Sequence, residues 1–165
     1  MKKIICALLS LILLCSCSAK EKIQVINKGL SFKAHIFCHT GEYICSGEIS
    51  EDMKMTFTIS QGKLSGFTAV YTGDKVSLSY EEKGYEQDES FFAQSLFTPI
   101  TEMFRYFENN KYSVGEKDNI YTSVGEIPEG KFVLCVSPAG LPISAEFDFS
   151  DYSVEFYNVS VKKQS

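Results

Sequence analysis

The chain has 165 residues, enough for one domain. Its formal net charge is −5 at neutral pH, so it has no electrostatic attraction for phosphate backbones, which argues against nucleic acid as a partner. The same acidity argues against the protein body docking on anionic lipid.

The chain opens with Met1-Lys2-Lys3, an apolar run from Ile4 to Leu14, and then Cys15-Ser16-Cys17. A charged start, a short apolar stretch and a small residue before the cut describe a secretory leader. The run covers 11 residues. A bilayer-spanning helix needs about 20, so a transmembrane anchor is not expected. Leu14-Cys15-Ser16-Cys17 resembles the bacterial lipobox, in which an aliphatic, a variable and a small residue precede the lipidated cysteine. Cys15 as acceptor would put Leu14 where a small residue is required. The expectation is therefore a signal peptide over 1–16, acyl chains of the palmitate type on Cys17, and a lipidated tether over 17–30. A single domain over 31–165 follows. Cleavage would leave 149 residues and, without Lys2 and Lys3, a charge of −7. Such a protein sits outside the cytoplasm, held by its lipid on the cell membrane or outer membrane. Ser18-Ala19-Lys20-Glu21-Lys22 reads as a polar spacer, although Ile23 and Val25 just after it also suit a frayed first strand.

From residue 31 the apolar residues recur with period two, the mark of half-buried strands. Phe32, Ala34, Ile36 and Cys38 alternate with Lys33, His35 and His39. Thr40-Gly41-Glu42-Tyr43 reads as a two-residue hairpin turn with glycine first. That register sets Cys38 opposite Cys45, which makes a disulfide between them an even proposition against two small buried thiols. A metal site of Cys38, Cys45, His35 and His39 is disfavoured. On a strand the two histidines point away from Cys38 and lie about 13 Å apart.

Met53, Met55, Phe57 and Ile59 then alternate with Lys54, Thr56 and Thr58. Phe67, Ala69 and Tyr71 follow the Gln61-Gly62 turn, and Val76, Leu78 and Tyr80 follow Thr72-Gly73-Asp74. Short strands joined by tight turns predict a meander.

The middle changes period. Ser90 is a suitable N-cap, and Phe92, Leu96, Ile100, Met103 and Phe107 recur at helical spacing. Pro99 is expected to divide or kink this segment. Arg105, the one arginine, reads as an ion-pair partner of Glu102 three residues earlier. Strands resume at Ile120–Val124, Phe132–Val136 and Ile143–Phe149, then run from Tyr152 onward. The apolar phase slips between Phe156 and Tyr157, which predicts a bulge or a local twist.

The expected class is α+β: a curled antiparallel sheet of about nine strands, a half-open barrel, with a helical lid. Both the order of elements and the closing segment, Gly140-Leu141-Pro142-Ile143 through Val154-Glu155-Phe156-Tyr157-Asn158, resemble the lipoprotein carriers of the LolA/LolB-like fold, over roughly residues 30–160. The resemblance implies a concave apolar cavity for acyl chains, gated by helices. Met53, Met55, Phe57, Ile59, Phe67 and Tyr71 would line it, with Val76 and Leu78 beside them. Phe92, Leu96, Ile100 and Met103 would face them from the lid. Apolar alternation fits a packed core equally well.

The leading functional expectation is thus a membrane-anchored envelope lipoprotein that binds a hydrophobic or amphiphilic ligand. The alternative is a structural lipoprotein with a packed core and an envelope protein as partner. No G-x-S-x-G, H-E-x-x-H or P-loop occurs, so neither an enzyme nor a cofactor is expected.

Overall fold

The computed structural model describes residues 23–81, 83–88, 95–149 and 151–162. The first half of the sheet is β1 (Leu30–Cys38), β2 (Gly41–Ile49), β3 (Met55–Gln61), β4 (Thr68–Thr72), β5 (Lys75–Tyr80) and β6 (Lys83–Asp88). The helix α1 (Thr98–Asn109) follows. The second half is β7 (Gly115–Lys117), β8 (Ile120–Ile127), β9 (Gly130–Val136), β10 (Pro142–Phe147) and β11 (Ser153–Val161). All eleven strands form one antiparallel sheet in the order β6-β5-β4-β3-β2-β1-β11-β10-β9-β8-β7. Every strand lies beside its neighbour in sequence, and β1 pairs with β11 to join the two meanders. β6 and β7 are therefore the free edges, and α1 lies in the connection between them.

One face of the sheet is buried along its length. Phe32, Ala34 and Ile36 of β1, Met55, Phe57 and Ile59 of β3, and Phe132 and Leu134 of β9 form one core with Ile100, Met103 and Phe104 of the helix. The helix reaches across the middle of the sheet: α1 and the residue before it touch both β3 and β9, which lie five strand spacings apart, about 24 Å in a flat sheet. Phe97 stacks on Phe57 with ring centroids 4.7 Å apart, and Tyr106 meets Phe132 edge-on at 5.4 Å. Two glycines let rings sink into the sheet. A Cβ on Gly47 would lie 2.3 Å from the ring of Phe32, its cross-strand neighbour, and one on Gly125 would lie 2.3 Å from Phe132, opposite it on β9.

The architecture corrects the expected class. Among the described residues the protein is mainly β, with eleven strands and a single helix; it is not an α+β fold of nine strands. The two strands that periodicity leaves out are the edges. Every residue of β6 and of β7 is exposed, so neither strand needs an apolar face and neither carries one. Pro99 does not divide the described helix. It stands in the first turn, where its missing N–H leaves no bond unmade. Ser90 and Phe92 lie outside the described residues.

The first hairpin is also corrected. Cys38 pairs with Gly41, so His39 and Thr40 form the loop and Cys45 faces Ala34. Gly41, at φ 132°, follows the loop instead of opening it. Cys38 is thereby set four residues along from the partner of Cys45, about 13 Å at 3.3 Å per residue, beyond the reach of a disulfide. Cys38, Cys45 and Cys135 are free thiols. The slip near Phe156 is a bulge: Lys33 pairs with Tyr157 but Ser31 with Ser160, an extra residue taken up beside Asn158 at φ 53°.

Residues 23–29 do not hang free. Val25 is buried, its N–H donates to the Tyr112 hydroxyl at 3.1 Å, and the Ile26 N–H donates to the Gly140 carbonyl at 2.9 Å. Gly140 admits this approach because a Cβ there would meet the Gln24 carbonyl oxygen at 1.9 Å.

Candidate functional site

Alternate connections of an antiparallel meander fall at the same end of the sheet. At one end lie the β1–β2, β3–β4, β8–β9 and β10–β11 turns, and the chain entering α1 reaches the same place. Between them lies a pocket of about 680 Å³, within the range of roughly 300–1,000 Å³ that small-molecule sites occupy. Cys38, Thr40 and Tyr43 come from the first hairpin and Leu64 from the β3–β4 turn. Leu96 and Pro99 come from the helix start, and Glu129, Phe149 and Tyr152 from the second half of the sheet. The pocket thus needs both meanders and the helix to exist.

Its helix wall is fastened by two phenols. Tyr152 donates to the Leu96 carbonyl at 2.6 Å. The Tyr71 and Ser95 hydroxyls are 2.6 Å apart, and Ser95 lies 2.8 Å from the Thr98 hydroxyl. These bonds hold the entry to α1 in the absence of a side-chain N-cap bond at Phe97. On the hairpin side, Tyr43 donates to the Thr40 hydroxyl at 3.3 Å, and the Cys38 thiol donates to the Gly41 carbonyl at 3.4 Å. Leucine, proline and aromatic rings at the walls suit an apolar body, while Thr40 and Glu129 at the rim offer an acceptor and a negative charge to a polar head.

The sequence-expected ligand residues are mostly elsewhere. Met55, Phe57, Ile59, Tyr71, Ile100 and Met103 are fully buried in the closed core beneath the helix. Val76 is buried too, while Met53, Phe67 and Leu78 are half-buried at its margin. Leu96 does line the pocket. Phe92 and Cys17 lie outside the described residues. Tyr43, Tyr152, Phe149 and the turn residues were not legible as site residues from apolar periodicity. Connectivity alone could have found them, because every second turn of a meander shares an end. Arg105 makes its expected pair with Glu102 at 3.0 Å and also donates to the Gly73 carbonyl at 2.8 Å, tying the helix to the β4–β5 turn. His35 lies 3.2 Å from Glu42, away from the pocket. Among the described residues no three His, Cys, Asp or Glu side chains converge to hold a metal ion.

Two buried protons sit at the pocket, one on Tyr152 in its wall and one on Cys45 in the core. Burial pushes the Cys45 thiol up to about 12, against a backbone hydrogen bond at Ala34 that acts the other way. Burial, followed by the nearby Cys45, Cys38 and Tyr71, raises Tyr152 well above its ordinary value of 10.0. Both groups must stay neutral in the folded state but ionise freely when unfolded. The Cys45 contribution is fully present below pH 9, the ordinary thiol value, and is lost as pH rises towards 12, whereas that of Tyr152 is fully present below pH 10 and is lost at higher pH. Urea unfolding should therefore show stability falling above pH 9 and more steeply above pH 10, with a limiting slope of about 1.4 kcal/mol per pH unit for each group. Cys45→Ala should remove the first limb and leave the second. An unchanged profile in that variant would rule out Cys45 as its source.

No family model matches the chain, and no curated protein sequence does. Solved structures resemble it in shape. An uncharacterized conserved protein from Thermus thermophilus superimposes with a TM-score of 0.53 at 8% identity, over 84% of this chain and 83% of that one. A LolA superfamily protein from Nitrosomonas europaea gives a TM-score of 0.48 at 9% identity, over 87% of this chain and 90% of that one. At such identities the likeness to the Thermus protein concerns the fold and nothing finer.

Proposed function

We propose that this protein is a lipid-anchored envelope protein that binds a hydrophobic or amphiphilic ligand, with the turn-end pocket as its site and no catalytic role. The observation that carries the reading is the pocket itself: an apolar-walled space of about 680 Å³ with polar groups at its rim. The core beneath α1 stays closed in this reading, and the ligand takes the space beside the helix start. The anchor rests on the lipobox resemblance at Cys17, and stable attachment through more than one acyl chain needs no contribution from the acidic body.

Two measurements test it. Mass spectrometry of the purified, unlipidated protein should find a co-purified amphiphile, and a fluorescent fatty acid should bind. Leu64→Glu, at a side chain already 42% exposed, should weaken that binding at least about tenfold without lowering the melting temperature. A protein that arrives empty and ignores the fatty acid sinks the binding reading. Separately, Cys17→Ser should abolish metabolic palmitate labelling and move the protein from the membrane to the soluble fraction.

The second reading, a structural lipoprotein with an envelope partner, is favoured by the packed core: Phe57, Phe97, Phe104 and Met103 are fully buried between the sheet and the helix segment. Cross-linking in cells that captured one specific protein, with no lipid bound, would favour it.

A further inference from the structure

We infer that the pocket faces away from the membrane to which the chain is anchored and receives its ligand from the aqueous side. The inference rests on the anchor reading at Cys17. Its structural ground is that the docked N-terminal segment and the pocket occupy opposite ends of the sheet. Gly29 leads directly into Leu30 at one end of β1, and Cys38 at the other end lines the pocket. Eight residue steps at about 3.3 Å separate them by about 26 Å. β9 gives the same polarity independently. Glu129, next to its first residue, lines the pocket, and the turn after its last residue ends at Gly140, which receives the Ile26 hydrogen bond.

Contour length makes that polarity a constraint on orientation. Six residue steps join Cys17 to Ile23, which can reach at most about 22 Å even when fully extended. Turning the pocket towards the bilayer would lift the base of the sheet by its own height, about 26 Å on the β1 measure alone and more with the turns added. The spacer cannot reach so far while residues 23–29 stay docked. Docking holds through burial of Val25, the Tyr112 and Gly140 hydrogen bonds, and a backbone approach at Gly140 that leaves no room for a side chain. The protein can lie on its side, but it cannot present its mouth to its own membrane.

The chain contains no tryptophan, so a single introduced one reports alone. The lipidated protein would be reconstituted in vesicles carrying a dansyl-headgroup lipid, with Leu64→Trp at the mouth or Ala139→Trp at the base; both positions are exposed. Energy transfer to the lipid should be several-fold stronger from the base than from the mouth. Inserting a 20-residue Gly/Ser spacer after Lys22 should erase most of that difference. Equal transfer from both positions at native spacer length, in protein that floats with the vesicles, overturns the orientation while leaving the anchor intact. Protein that does not float with the vesicles overturns the anchor reading, and the orientation falls with it. Circular dichroism of each tryptophan variant must match the parent protein, and Thr40→Trp gives a second mouth position should Leu64→Trp not fold.

Discussion

Phe57→Ala should lower the unfolding free energy by about 4 kcal/mol, the loss expected when a fully buried ring leaves a void that its surroundings only partly fill. For a domain of this size that is a fall of roughly 8–16 °C in melting temperature. Phe57 is fully buried and central. Phe97 stacks on it with planes 10° apart, Tyr71 meets it edge-on at 6.0 Å, and Phe32 lies 6.3 Å away. It is therefore the ring on which the start of α1 rests, and Phe97 joins it to the pocket wall at Leu96. The substitution should also loosen that wall, and benzene or a short alkane should restore part of the lost stability by filling the dry space. Urea unfolding followed by circular dichroism, with and without benzene, measures both effects. A loss under about 1 kcal/mol would show that the helix does not depend on this stack.

Gly47→Ala should destabilise by about 3 kcal/mol, near the upper end of ordinary overpacking, although alanine favours a strand no less than glycine does. The ring that the new methyl would strike has nowhere to go. Phe32 is held by Phe156 at 5.2 Å, Phe104 at 6.0 Å and Phe57 at 6.3 Å. The decisive measurement is the double mutant. In a Phe32→Leu background, Gly47→Ala should cost less than about 1 kcal/mol, a coupling that independent sites would not show. Gly125→Ala should behave alike against Phe132, which is confined by Tyr106, Phe107 and Phe147. Additive effects in the double mutant would mean that glycine is needed at 47 for its backbone and not for the space it leaves.

The strands most legible in the sequence were those that bury alternate residues. β3, with Met55, Phe57 and Ile59 inward and Thr56 and Thr58 between, could hardly be anything else. β6 and β7 were illegible for the complementary reason, since edges that bury nothing impose no period on their residues. The first hairpin failed on one glycine. Thr40-Gly41-Glu42 contains a good turn residue, but a positive φ is as useful just after a two-residue loop as within it, and local sequence did not separate the two. The site was harder still. Apolar alternation identifies the inward face without saying whether helix or solvent fills the space above it, and here α1 fills it. The pocket instead gathers residues that share an end of the sheet. That grouping depends on β1 pairing with β11, which no local window of sequence contains.

That central pairing has a consequence for how the molecule is made. Leu30 meets Val161, so the middle seam of the sheet joins the first strand to the last. Until β11 emerges there are two meanders with raw edges at β1 and β10, and no template between them. Contacts that span nearly the whole chain pay their loop-closure entropy before any return, and such topologies fold slowly. A chain built this way stays open for as long as its last strand is missing. Under the exported, lipid-anchored reading proposed above, late closure would keep the polypeptide in a form that can be threaded across a membrane.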